Sequence, residues 1–153
     1  MRFLWFGRKK ASAAQSQESV AVETWRVNNF VVVESPLAGA AGTTIESSTI
    51  YSYLATLAQQ EQTPASQALV EFLQERGFVT LEITSYSHSE SLGYSCKVFD
   101  TSATVLLGGP AGIARVTTPF HTEISQAVGS GANQVLAIDG IAYAAFSIDS
   151  TTE

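Results

Sequence analysis

A chain of 153 residues suits one domain, and 45% hydrophobic content can supply its core without a metal or a disulfide, which the single Cys96 could not form internally. Charged residues are only 14%, and 18 Ser and 15 Thr stand in their place, giving a surface of hydroxyls rather than charges. The net charge of −6 divides unevenly: Arg2, Arg8, Lys9 and Lys10 make the first ten residues +4, while four basic against fourteen acidic residues make the rest −10. Non-specific nucleic-acid binding by that acidic body is excluded, since it has no basic surface to neutralise phosphates.

The first ten residues combine Phe3, Leu4, Trp5 and Phe6 with Arg8, Lys9 and Lys10. Their apolar patch is short and precedes the basic cluster, the reverse of a secretory signal, and no apolar run is long enough to cross a bilayer. These seven side chains are the candidate partner-binding residues of an N-terminal arm. They suit a groove on a neighbouring protein subunit, or an anionic membrane surface, where Trp and Phe sit at headgroup depth. Positions 11–19 are small and polar and read as a tether. The expected organisation is therefore an arm and tether over 1–19 and a single domain over 20–153.

Val20 to Glu34 carries Val22, Trp25, Val27, Phe30 and Val31 to Val33, the pattern of one long strand or two short ones broken at Asn28-Asn29. The loop Gly39-Ala-Ala-Gly42-Thr43-Thr44 follows, with Thr43-Thr44-Ile45-Glu46 as a capping box opening a helix. Ile50, Tyr53, Leu54 and Leu57 give that helix its buried face, and it stops near Gln62. Thr63 caps the next helix and Pro64 suits its first position. Ala65, Ala68, Leu69, Phe72 and Leu73 form its apolar stripe, and Gly77 closes it. The period then switches to two, with Val79, Leu81 and Ile83 on one face of a strand.

A polar loop containing His88 separates that strand from Tyr94 to Phe99. Ala103 to Leu107 is apolar, Gly108 to Gly112 a turn, and Ile113 to Val116 a short strand. Thr118, Pro119 and Gly129 bracket a third helix bearing Phe120, Ile124, Ala127 and Val128. Gln134 to Ile138 and Ile141 to Ile148 flank Asp139-Gly140, a strong hairpin signal. Runs of consecutive strands predict an α+β fold, with a mainly antiparallel sheet and about three helices packed on one face.

Signals for chemistry are sparse. The Gly39–Thr44 loop lacks the Lys of a phosphate loop, and Glu46 would repel an anion, so it reads as a capped turn. His88 and His121 form no close pair of the kind metal sites use, and His88-x-Glu90 is a weak substitute. No Gly-x-Ser-x-Gly elbow is present, Glu71 and Glu75 suit a solvated helix face, and the five tyrosines suit core and rim. No catalytic, metal or cofactor residue is therefore assigned. The composition and the arm lead to the expectation of a non-enzymatic assembly subunit, in homo- or hetero-oligomers, most naturally a virion component of capsid, neck or tail, in virion or cytoplasm. The rival expectations are a membrane-tethered ligand-binding or sensory domain and a small hydrolase.

Overall fold

The computed structural model describes residues 23–37, 44–90, 92–99 and 101–152; the arm, the tether and most of the Gly39–Thr44 loop lie outside the described residues. The elements run β1 (Glu23–Val32), α1 (Ser47–Glu61), α2 (Pro64–Gln74), β2 (Ile83–Ser89), β3 (Gly93–Val98), β4 (Thr104–Gly108), α3 (Pro110–Ala114), α4 (Thr122–Gly129), β5 (Gln134–Ile138) and β6 (Ile141–Thr152). The six strands form one sheet in the order β1-β6-β5-β4-β3-β2, and every neighbouring pair is antiparallel. The α+β class with a helical face is what the sequence predicts. The helices number four among the described residues, and they divide two to each face of the sheet.

The Asn28-Asn29 pair bends β1 without ending it. Asn29 takes a left-handed φ of 54°, the register with β6 shifts between Asn28 and Val31, and the ladder resumes: a β-bulge. The expected capping box of α1 is not made. The N-cap is Glu46, whose side chain forms no cap bond, and the carboxylate of Glu34 takes that role from beyond the end of β1. Glu34 Oε2 accepts from both the backbone N–H and the hydroxyl of Ser47, each at 2.8 Å. A full charge in reach of the orphan donors outcompetes a neutral hydroxyl.

The Ser47 hydroxyl, and then its backbone N–H, hold the Glu34 carboxyl below its ordinary 4.5. A depressed carboxyl stabilises the fold above its unfolded value and loses that contribution as pH falls through the folded one. Glu34→Gln should thus lower the urea midpoint above pH 4.5, and the two midpoints should converge at more acid pH. A constant offset at every pH would show that the charge is not what matters.

The turn between α1 and α2 follows the sequence closely. Gln62 adopts the left-handed conformation and Thr63 caps α2. Thr63 Oγ1 accepts from Ser66 N at 3.1 Å, while Ser66 Oγ accepts from Thr63 N at 2.8 Å, a capping box closed by a serine. Ala65, Leu69 and Leu73 are buried as the stripe predicts. Gly77 is left-handed at φ 86°.

The strand expected to follow Gly77 at once is delayed. Val79 is 64% exposed, and pairing in the sheet begins only at Ile83. Residues between are held by α1 instead: Ser52 Oγ accepts from Val79 N and Thr56 Oγ1 from Leu81 N, both at 3.0 Å. Two hydroxyls spaced one helical turn apart match alternate N–H groups of an extended chain, a pairing that periodicity does not encode. At its other end β2 runs through the expected loop as far as Ser89, since Ser87, His88 and Ser89 pair with Ser95, Tyr94 and Gly93.

Two further expectations are corrected. Ile113 to Val116 is not a strand: Gly109 and Pro110 start the short helix α3, whose Ile113 is fully buried, because Pro in the first helical turn favours the fixed φ it brings. Helix α4 begins at Thr122 rather than at Thr118, with the His121 ring nitrogen Nδ1 accepting from Glu123 N at 3.1 Å. The Asp139-Gly140 hairpin is made as expected, with φ of 52° and 82° joining Ile138 directly to Ile141.

Two apolar layers result. The larger lies between α1 and α2 and one sheet face, around Ile50, Leu54, Leu73, Leu136 and Phe146; the smaller lies between α3 and α4 and the reverse face, around Ile113, Ile124, Val135 and Ala145. Along β5 the residues alternate between the two layers, so the central strand is apolar on both sides.

Candidate functional site

Those residues singled out by sequence that the structure describes do not converge. Phe3, Leu4, Trp5, Phe6, Arg8, Lys9 and Lys10 lie outside the described residues. So do residues 39–43 of the glycine loop, and the α1 terminus that follows it already has the Glu34 carboxylate against its first N–H. His88 and His121 belong to different layers: His121 caps α4, and His88 lies on β2 with its ring 4.5 Å from that of Tyr94. Among the described residues, no group of three His, Cys, Asp or Glu could hold a metal, and neither histidine hydrogen-bonds a Ser or Cys. Cys96 is buried in the larger core, and burial pushes its thiol up to about 11, which makes it a packed small side chain.

A different set of residues does converge. On the sheet face covered by α1 and α2, where the turn between them crosses it, lies a cavity of about 290 Å³. The last turn of α1 supplies Leu57, Ala58 and Glu61, and the first turns of α2 supply Thr63, Ala65, Ser66 and Leu69. The floor is the sheet: Trp25 of β1, Ile148 and Phe146 of β6, Gln134 of β5, Leu107 of β4 and Tyr94 of β3. Register explains the floor, since Tyr94 pairs with Leu107 and Gln134 with Phe146, and directly opposed residues share a face. The small Ala58 and Ala65 are what leave the space open, because a longer side chain at either would fill it.

One wall of the cavity is an ordered polar ladder. Glu61, the last residue of α1, accepts from Tyr86 Oη at 3.0 Å on one carboxylate oxygen and from Tyr94 Oη at 2.8 Å on the other. The two tyrosine rings stack 6.2 Å apart at 12°, and the His88 ring lies 4.5 Å from that of Tyr94. Bonds to a carboxylate are the stronger kind, so Glu61 is held in one position at the edge of an apolar slot. A flat aromatic group with one or two polar edges is the ligand such a slot accommodates. Two other hollows are more polar: one of about 420 Å³ beside Ser48, Ser52 and Arg76, and one of about 380 Å³ between Gln59, Gln62 and Gln67.

By sequence, no protein-family model matches the chain and no curated protein is detectably similar to it. Solved structures do match. The N-domain of the copper-transporting P-type ATPase HMA6 superposes with a TM-score of 0.59 over 82% of this chain and 98% of its own, at 12% identity. A zinc-transporting PIB-type ATPase superposes at 0.60 with 16% identity, over 85% of this chain and 20% of the pump. The catalytic domain of the CPx-ATPase CopB-B, whose conformation changes upon nucleotide binding, superposes at 0.52 with 15% identity.

The chain has the fold of a P-type ATPase N-domain. The match takes in 85% of this chain but only 39% of the CopB-B catalytic domain.

The expectation of a virion or other assembly subunit is corrected by these matches: the fold is that of a domain of ion-transporting ATPases, not of a structural particle protein. The rival expectations, a membrane-surface-tethered ligand-binding or sensory domain and a small hydrolase, are not addressed by a likeness of fold. Four of the hydroxyl side chains are used internally, Thr63 and Ser66 as a helix cap and Ser52 and Thr56 as partners for extended backbone. Sequence reasoning missed Glu61, Trp25, Thr63 and Ala65 as site residues. Each reads locally as an ordinary helix end, strand residue or cap, and only the pairing of distant strands brings them together.

Proposed function

We propose that this chain is a nucleotide-binding domain, and that the cavity beside Glu61 receives the base of the nucleotide. The observation that carries this reading is the slot itself: it is the most apolar of the three hollows described, and it lies in a fold shared with the N-domains of copper-transporting P-type ATPases. Trp25 and Tyr94 offer aromatic surface to a base, while Glu61, Thr63 and Gln134 offer hydrogen-bonding edges.

A slot this small that contacts one ring system implies weak binding, with a Kd on the order of 0.1–1 mM. The test is an NMR titration of the chain with ATP, following the Trp25 indole N–H and the amides of residues 61–66 and 94. Saturable shifts confined to those positions are the expected result. Shifts spread evenly over the surface, or none at millimolar ATP, would dismiss the reading.

A further inference from the structure

We propose that the cavity beside Glu61 is the docking site of this chain's own aromatic-basic arm: Trp5 or a neighbouring Phe fills the slot, and Arg8, Lys9 or Lys10 meets the Glu61 carboxylate. The chain then carries its own competitor for the site. Docking stands apart from the nucleotide-binding reading above, and only the competition rests on that reading.

The lining selects such a segment. Leu57, Leu69 and Leu107 make the slot apolar, and Trp25 and Tyr94 offer ring surface. Glu61 is the one charged side chain among the described residues that line it. Its bonds from Tyr86 and Tyr94 come from neutral hydroxyls, which fix the carboxylate without adding a positive charge. Glu61 also ends α1, so the negative pole of that helix adds to its own charge. The matching ligand has a flat apolar body and a cation close by. Half of all Lys and Arg in the chain fall in its first ten residues, with no acid among them. There Trp5 precedes Arg8 by three positions, about 10 Å of extended chain, and Gly7 between them lets the backbone turn.

The point of attachment brings the arm to the slot. The described chain begins at Glu23, where β1 starts, and Trp25, two residues on, already lines the cavity. Those two strand residues span only about 7 Å. Trp5 lies 18 positions before Glu23, through a stretch rich in Ala, Ser and Gln. A coil of that length has an end-to-end distance of about 20–25 Å, enough to fold back with slack. Linkers of this kind hold a segment at an effective concentration in the millimolar range. An intrinsic dissociation constant of about 1 mM, within reach of one buried ring and one charge pair, then fills the cavity in about half of the molecules or more. The arm of a second copy reaches the same occupancy only when the protein itself is near millimolar, so the chain's own arm is the favoured occupant.

The test compares NMR spectra of the full chain with those of two full-length variants, Trp5→Ala and the triple change R8Q, K9Q and K10Q. Neither alters a residue of the described fold. Both should move the Trp25 indole N–H and the amides of residues 61–66 and 94 in the same direction, by amounts that persist on about tenfold dilution. Changes confined to the arm overturn the proposal, and sedimentation with phosphatidylserine vesicles would then name a membrane as the arm's partner. Changes that fade on dilution overturn it in favour of a second copy, and changes centred on either polar hollow move the docking off the cavity. In a Glu61→Gln chain the triple change should have no further effect at these positions; an undiminished effect would remove Glu61 from the contact. ATP should bind Trp5→Ala about twofold or more tightly than the parent chain, since the arm no longer occupies the site. Docking signals with equal ATP affinity in the two chains overturn the competition. Docking signals with no ATP binding to either chain leave the docking standing and dismiss the nucleotide-binding reading. ATP shifts at the cavity with no effect of the arm do the reverse.

Discussion

Gly93→Ala is expected to cost about 3 kcal/mol or more, lowering the thermal midpoint by about 6–12 °C for a domain of this size. Gly93 opens β3 with φ 83°, and Gly108 closes β4 beside it. A Cβ on Gly93 would collide with the Leu107 carbonyl oxygen and stand 2.7 Å from Gly108 Cα. Both are backbone atoms of a paired strand and cannot rotate aside, so the strands would have to part. The same substitution at Gly77 is the control. It shares a left-handed φ of 86° but has nothing within 4 Å of the added carbon, so it should cost only about 1–2 kcal/mol. Equal losses at the two positions in urea melts would mean that backbone conformation, not the close approach of β3 and β4, sets the penalty. Tyr94 and Leu107, next along these strands, are both in the cavity floor, so parting them should also weaken ligand binding.

What the sequence disclosed and what it hid follow from the range of the interactions. The Thr63-Pro64 start of α2, its buried stripe and the Asp139-Gly140 turn were legible, because each depends on residues within one or two turns of one another. The cap of α1 was not, since its acceptor lies 13 residues back at Glu34 and displaces a well-formed local motif. The delay of β2 was hidden for a similar reason. Val79 and Leu81 alternate like a strand, and only Ser52 and Thr56, 27 and 25 residues away, decide that a helix holds them. The site lies at the far end of this scale. Its floor is drawn from four hydrogen-bonded strand pairings and its ladder joins Glu61 to Tyr86 and Tyr94, 25 and 33 residues on. The aromatic-basic arm stands out by local contrast of composition. Such contrast says that a segment differs from its neighbours and by itself carries no information on what the folded body binds.

Ala65→Leu should separate stability from binding by moving them in opposite directions. Ala65 lies in the first turn of α2, is 8% exposed, and lines the cavity together with Leu69 and Leu57. Three added carbons would enter existing space rather than displace packed atoms. At about 0.8 kcal/mol per buried methylene they could contribute at most about 2 kcal/mol, and about 1 kcal/mol is expected after side-chain ordering and imperfect fit. The helix itself is indifferent, Leu being nearly as good a helix former as Ala. A ligand that must occupy the same space would lose its seat, and ATP affinity should fall by more than tenfold. A variant that melts higher and no longer binds would place the ligand between α1, α2 and the sheet. A variant that melts higher and binds as before would move the ligand to one of the two polar hollows. A variant that melts lower would mean that the first turn of α2 cannot admit the added carbons, and Ala58→Val, on the facing helix, is then the substitution with which to repeat the comparison.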